Sequence, residues 1–335
     1  MSAISAPHTP ASQELRPRDI TIAVTVYSRR EYVLGAIRSA LEQSVPVKVI
    51  VVEDCGPDAT LRDFVLREFG SRIEYFRNAR NRGLFDNWNA CLEYCRTPWV
   101  SILHDDDVLH PVFVETMLAL AKAAPGRSVY FGRTGVLSGG VVTPAAPAVG
   151  WPQNWRDLDP AVLADESLMY FAGQLIRVEA ARSVGGFKTP CFFTGDWDMW
   201  FRLALRFGAA QTATEVSLAR EHGGEDRGSN RVERKGWNCA LDNVQRKRNR
   251  AFLLREKGVA MPFDRLKLLQ LSTITAGALL RNADHYSDRI LRYNAWIFTH
   301  HKAPRLHYAA LQWLVRLFGP RVLRLPSSLR LQCLI

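Results

Sequence analysis

Several absences narrow what this chain can be. No stretch of about 18 uncharged apolar residues occurs, so no membrane-spanning helix is expected. The opening segment, MSAISAPHTPASQELRPRD, contains no apolar run of signal-peptide length. It is rich in Ser, Ala and Pro, and residues 1–17 are expected to be disordered. The six cysteines, Cys55, Cys91, Cys95, Cys191, Cys239 and Cys333, include no CxxC pair. Cys91 and Cys95, four apart in a helical pattern, read as small apolar residues on one face. Unpatterned thiols in a chain of this length favour a reducing compartment. There is no internal repeat and no nucleic-acid-binding motif, so no nucleic-acid partner is expected.

The 335 residues are 47% apolar and 23% charged, as in a folded globular protein. That length accommodates one large α/β domain with an appendage, or two modest domains. Charge is uneven. Residues 231–335 hold 20 Lys+Arg against 6 Asp+Glu, a net +14, which leaves −3 on the first 230 residues. A basic appendage of this kind usually faces polyanions or anionic lipid.

Apolar runs and helical stripes alternate along the first half. Strands are expected at 20–26 (ITIAVTV), 47–54 (VKVIVVED), 73–78 (IEYFRN), 99–104 (WVSILH) and 128–137 (SVYFGRTGVL). Helices are expected over 30–43 and 60–69, after Gly83, after Pro111, and from Met199 onward. Residues 138–160 are rich in Gly, Pro and Ala and read as a long loop, and the chain beyond Arg231 reads as helical and basic. Alternation of strand and helix implies a largely parallel sheet, which binds ligands beyond the carboxyl ends of its strands.

Acids gather at such ends. Asp105, Asp106 and Asp107 directly follow an apolar strand. Three adjacent carboxylates repel one another, and a divalent cation, Mn²⁺ or Mg²⁺, would relieve the repulsion. The alternative is a solvated turn with helix-capping Asp. Glu53 and Asp54 end another apolar strand, where a carboxylate can accept from a ribose or a base N–H; an Asx turn in EDCGPD is the alternative. Asp196 and Asp198 flank Trp197 at a helix start, where an ionised carboxylate can act as general base or simply cap the helix. His222, in a polar loop, could complete a metal shell, touch a diphosphate, or do neither.

Taken in order, these motifs resemble family 2 glycosyltransferases of GT-A fold, the bacterial branch that builds surface polysaccharides. The resemblance covers roughly residues 18–230. It lies in Val24-Thr25-Val26-Tyr27-Ser28-Arg29, Val51-Val52-Glu53-Asp54, Asn78 to Leu84 with Asn87-Trp88-Asn89, Leu103 to Asp107, Gly185-Gly186-Phe187, Asp196-Trp197-Asp198 and His222. It implies a GT-A fold with a mostly parallel central sheet over 18–230, followed by a basic helical region over 231–335. It also implies nucleotide binding by Thr25, Tyr27, Arg29, Asp54, Asn81, Asn87 and Asp105, a metal held by Asp106, Asp107 and His222, and Asp196 as base. The implied reaction is inverting transfer of a sugar from a nucleotide-sugar donor to a saccharide or lipid-linked saccharide acceptor. The chain departs from the family pattern twice. His104 stands at the first Asp of Asp-x-Asp-Asp, and Gly195 stands where Glu often precedes the base.

Two other functions compete. A sugar nucleotidyltransferase also needs carboxylates and Mg²⁺, but it usually carries a Gly-rich loop after its first strand. Here Tyr27-Ser28-Arg29-Arg30-Glu31 has no glycine before Gly35. A non-catalytic binding protein would fit the basic tail but not the acidic strand ends. Residues 308–318, apolar with flanking Arg, form either a packed helix or an interfacial one on an anionic membrane surface. The expected location is cytoplasmic, peripheral on the inner face of the inner membrane.

Overall fold

The computed structural model describes residues 14–188, 194–222 and 238–259. These fall in two compact units, one holding residues 14–188 and 195–222, the other Thr194 and 238–259. The expected boundary at 230 and the expected interfacial helix at 308–318 lie outside the described residues. Of the expected disordered leader, residues 14–17 are described, and Pro17–Asp19 forms a turn of 3-10 helix leading into the first strand.

The first unit is built on a ten-stranded sheet. Its elements run β1 (Ile20–Val26), α1 (Arg30–Leu41), β2 (Lys48–Glu53), α2 (Leu61–Phe69), β3 (Glu74–Arg77), α3 (Leu84–Tyr94), β4 (Trp99–His104), β5 (Val108–Leu109) and α4 (Phe113–Ala123). They continue with β6 (Val129–Ser138), β7 (Val141–Thr143), β8 (Trp155–Asp157), α5 (Pro160–Asp165), β9 (Gln174–Arg177), α6 (Val178–Ser183), α7 (Gly195–Phe207) and β10 (Ala209–Glu221). The strand order is β3-β2-β1-β4-β9-β6-β10-β5, with β7 on β6 and β8 on β10. β1, β2, β3, β4, β6 and β10 share one direction, and β5, β7, β8 and β9 oppose it.

Local sequence explains the first half. Every residue of β1 is buried, as in a parallel strand covered on both faces. α1 buries Val33, Ala36, Ile37 and Ala40, one stripe at helical spacing, against the sheet. α2 and α4 cover the same core through Leu61, Val65, Phe113 and Met117. Each such side chain contributes about 1.5–3 kcal/mol when fully buried.

The second half departs from expectation. The region 138–160 contains two short strands, β7 and β8, rather than an unbroken loop. β9 is inserted antiparallel between β4 and β6, where buried Gln174 donates to Ile102 O (2.7 Å). β10 is the largest element that the sequence did not announce. Register shifts between Gln211 and Glu215 and between Glu215 and Ser217 break its alternation. His222 therefore sits at the end of a strand and not in a free loop. In the second unit Asn238–Lys257 forms helix α8, with Thr194 Oγ1 donating to Gln245 Oε1 (3.1 Å); most of the expected basic helical region lies outside the described residues. No described helix is long and apolar enough to cross a membrane.

Candidate active site

The parallel strands β1, β2, β4 and β10 deliver their carboxyl ends to one edge of the sheet, and the expected site residues divide there into two groups. The first surrounds β2. Asp54 is buried, and its carboxylate accepts from Asn78 Nδ2 (2.9 Å), Arg82 N–H (2.8 Å) and Gly83 N–H (2.9 Å). Asn78 also donates to Asn87 Oδ1 (3.0 Å), and Asn87 donates to Val52 O (3.4 Å). Asn81 Oδ1 accepts from Gly83 N–H at 2.8 Å. Asp54, Asn81 and Asn87 thus fasten the loop that opens α3. Glu53 is sealed beneath them, accepting from Gly56 N–H (3.1 Å), Tyr75 Oη (2.8 Å) and Arg77. Burial, and then Glu53, raises the Tyr75 hydroxyl well above its usual pKa. A Cβ on Gly56 would lie 1.7 Å from Tyr27 O, so only glycine lets the two loops touch.

The second group surrounds β4. Arg29 Nη1 donates to Asp105 Oδ1 (2.9 Å) and to Asp106 Oδ2 (2.8 Å). Tyr27 N–H reaches Asp105 Oδ2 at 3.5 Å. Burial pushes the Asp105 carboxyl up to about 6; Arg29 opposes this and the Asp106 charge adds to it. β10 closes the cluster from the other side. Arg220 N–H donates to Asp107 Oδ1 (2.9 Å), Arg220 Nε donates to Asp106 O (2.8 Å), and His222 Nε2 lies 3.2 Å from Asp106 Oδ2. Tyr32 packs under Arg220 (4.7 Å to the ring) and beside His222 (5.5 Å between rings). Thr25 points elsewhere, its hydroxyl donating to Leu103 O at 3.3 Å.

His104, Asp106 and Asp107 each offer a ligand atom within 4.8 Å of the others. His104 Nε2 is buried and has no partner among the described residues. One imidazole and two carboxylates, with one ring nitrogen left over, suit a divalent cation. Burial opposes protonation of His104, but Asp107, Asp106 and Asp105 outweigh it and raise its pKa. His104 was left out of the expected metal shell. Its place at the first acid of Asp-x-Asp-Asp was the signal that could have included it.

Asp196 begins α7, half-buried, and its Oδ1 accepts from Trp197 N–H at 2.7 Å. Burial pushes its carboxyl up to about 6, against the helix-start N–H groups and the charge of His104. Asp198 has a different task. It pairs with buried Arg202 (2.7 Å), which donates to Val184 O and Gly186 O at 2.7 Å each. Asn89 grips the same turn, accepting from Phe187 N–H (2.8 Å) and donating to Phe187 O (2.9 Å). Gly195 has a steric reason: a Cβ there would meet the Phe85 ring at 2.4 Å, so a Glu would have to displace that ring.

Residues 21–185 match the family model described as Glycosyl transferase family 2. The chain is 36% identical over 107 residues to the succinoglycan biosynthesis protein ExoO of Rhizobium meliloti, covering 32% of this chain and 30% of that protein. It is 26% identical over 225 residues to an uncharacterized protein of Mycobacterium tuberculosis, covering 60% of this chain and 66% of the other. It therefore spans less than two thirds of either relative. Among solved structures, Staphylococcus aureus TarS 1-349 with UDP-GlcNAc superposes at a TM-score of 0.57 and 15% identity, covering 93% of this chain and 92% of that one. The mannosyltransferase PcManGT of Pyrobaculum calidifontis, with GDP-Man and Mn²⁺, superposes at 0.54 and 16% identity, covering 94% and 89%. Residues 21–185, which hold strands β1 to β4 and the acidic strand end, therefore form a glycosyl transferase family 2 domain on the GT-A fold.

Proposed function

We propose that the chain is an inverting glycosyltransferase that moves a sugar from a nucleoside-diphosphate sugar to a hydroxyl acceptor in the synthesis of a cell-surface polysaccharide. One observation carries this reading: His104, Asp106 and Asp107 offer three ligand atoms within 4.8 Å of one another at the end of β4, inside the segment that matches the family model. With its carboxyl near 6, Asp196 is ionised at neutral pH yet basic enough to take the proton of an attacking hydroxyl. Arg29 and the Tyr27 N–H hold Asp105 in place beside the donor's expected path. His104, Asp106 and Asp107 would hold Mn²⁺ or Mg²⁺, which supplies charge neutralisation for the departing diphosphate. A direct displacement of this kind needs no covalent sugar–enzyme intermediate.

The similarity to ExoO, a succinoglycan biosynthesis protein, supports an exopolysaccharide pathway, and the acceptor we propose is a saccharide or lipid-linked saccharide. The net +14 on residues 231–335 supports work at the anionic cytoplasmic face of a membrane, and we assign that region as a separate basic appendage following a catalytic domain at 18–230. The test is a panel of UDP-, GDP- and dTDP-sugars with Mn²⁺, scored for nucleoside diphosphate release with and without a polyprenyl-linked saccharide. Turnover of one donor that requires metal supports the reading. Release of pyrophosphate, or turnover of no donor at all, overturns it.

A further inference from the structure

We infer that His104 is a nitrogen ligand of the cation site, and that it makes the site selective for a transition ion such as Mn²⁺ or Co²⁺ over Mg²⁺. This rests on the reading of the β4 end as a cation site and goes further in naming which class of ion it takes.

Neither ring nitrogen of His104 has a hydrogen bond to a described residue, and Nδ1 is the one that lies toward the carboxylates. A buried imidazole almost always hydrogen-bonds through at least one nitrogen, because burying it otherwise costs free energy. His104 Nε2 has no partner among the described residues, and Nδ1 lies 3.6 Å from Asp107 Oδ2. A separation of 3.6 Å is too long for a hydrogen bond. It does suit two donors that share one ion through bonds of about 2.1 Å each. Asp106 supplies a third donor atom, all three within 4.8 Å of one another.

The ring is also held in orientation. Phe171 stacks on it at 4.3 Å and 9°, and Trp88 at 5.5 Å and 18°. Phe171 and Trp88 stack on each other at 4.2 Å. Aromatic packing of this kind sets the plane of the imidazole, and within that plane Nδ1 lies 3.6 Å from Asp107 Oδ2. Preorganisation of that sort belongs to a ligand more than to a space-filling residue.

Selectivity follows from donor chemistry. A shell of oxygens alone suits Mg²⁺, Ca²⁺ and Mn²⁺ alike, whereas an imidazole favours transition ions over Mg²⁺, with affinity rising from Mn²⁺ to Co²⁺ along the first row. Mg²⁺ also resists giving up water for nitrogen. An acid at position 104 would make an all-oxygen shell; His104 replaces one oxygen ligand with nitrogen and removes one negative charge.

The test uses the full-length chain. Mn²⁺, Co²⁺ and Mg²⁺ are titrated by calorimetry, with and without UDP or GDP, into wild type, His104→Asp and His104→Gln, and Co²⁺ absorption is recorded for each. Thermal melts confirm that each variant is folded. In wild type, Mn²⁺ and Co²⁺ should bind more tightly than Mg²⁺. His104→Gln should weaken Mn²⁺ and Co²⁺ by roughly 10- to 100-fold, at least the loss that even an outer partner of a ligand causes. His104→Asp should shift the preference toward Mg²⁺ and change the Co²⁺ spectrum. If both variants keep the wild-type Mn²⁺/Mg²⁺ ratio and Co²⁺ spectrum while Asp106→Asn loses binding, the site stands and this inference falls. If no ion binds wild type in any condition, the inference falls with the cation site itself. Donor turnover, measured separately, judges the glycosyltransferase reading independently.

Discussion

Two strands of this sheet, β2 and β4, end in acids, and the two ends have opposite electrostatics. At β2, Glu53 and Asp54 meet mostly neutral or peripheral donors, with two backbone N–H groups and one amide on Asp54 alone. Each carboxylate there is held by several hydrogen bonds and anchors loops. At β4, Asp105, Asp106 and Asp107 crowd together, met by the Arg29 guanidinium shared between two of them, by Arg220 and by two imidazoles. One carboxyl there is forced up to about 6 by burial. Carboxylates whose bonds are complete build structure. Carboxylates crowded together in this way are the ones we propose as cation ligands.

The comparison breaks most visibly at Asp106. Asp106→Asn should lower metal-dependent donor turnover by about 10³–10⁴, the several kcal/mol that a cation supplies to a departing anion. Its melting temperature without metal should hold or rise, because the change relieves repulsion. Undiminished turnover with metal still required would move the cation elsewhere.

Asp196 and Asp198 repeat the contrast across two residues. Asp196→Asn should cost roughly 10²–10³ in turnover with donor affinity nearly unchanged, as for loss of a general base. Asp198→Asn should instead cost about 3–5 kcal/mol of stability, since it leaves Arg202 charged and buried without its partner. Stopped turnover in a fully stable Asp198→Asn, with Asp196→Asn mild, would exchange the two roles.

At the β2 end, Asp54→Ala should lower stability by about 2–3 kcal/mol, because three donors lose their acceptor. Nucleotide affinity, followed by calorimetry, should weaken as the 78–83 loop loosens. Unchanged stability with weaker nucleotide binding would show that Asp54 contacts the nucleotide directly.

The smallest effect is in pH. The Asp196 carboxyl is raised in the folded state to about 6, so kcat/KM should fall as pH drops through about 6 and the base takes up a proton. Stability runs the other way. The folded protein holds this proton more tightly than the unfolded chain, so the group's contribution is complete below about 3.9 and is lost as pH rises through about 6. Rate profiles and thermal melts between pH 4 and 8 check both signs. An acid limb surviving in Asp196→Asn would assign it to another group.

Much of this architecture was legible in advance. β1 through β4 read directly from apolar runs because a parallel strand buried on both faces leaves an uninterrupted β-branched signature. The acids at the ends of β2 and β4 are adjacent in sequence to those runs, so their placement followed at once. β9 is four residues long, and the alternation of β10 is broken by its bulges, so neither leaves a periodic trace.

What the amino-acid order determined by itself is local: which segments become strand or helix, and that acids stand at two strand ends. Which acids would be satisfied was decided only when distant segments met. Arg29, His104, Arg220 and His222 reach the same carboxylates from β1, β4 and β10, across as many as 116 positions. Asp198 found Arg202 one turn along its own helix, while Asp196 was carried to the neighbourhood of His104. Periodicity reports which face of an element is buried, but the charge balance of a site depends on pairings that sequence spacing does not encode.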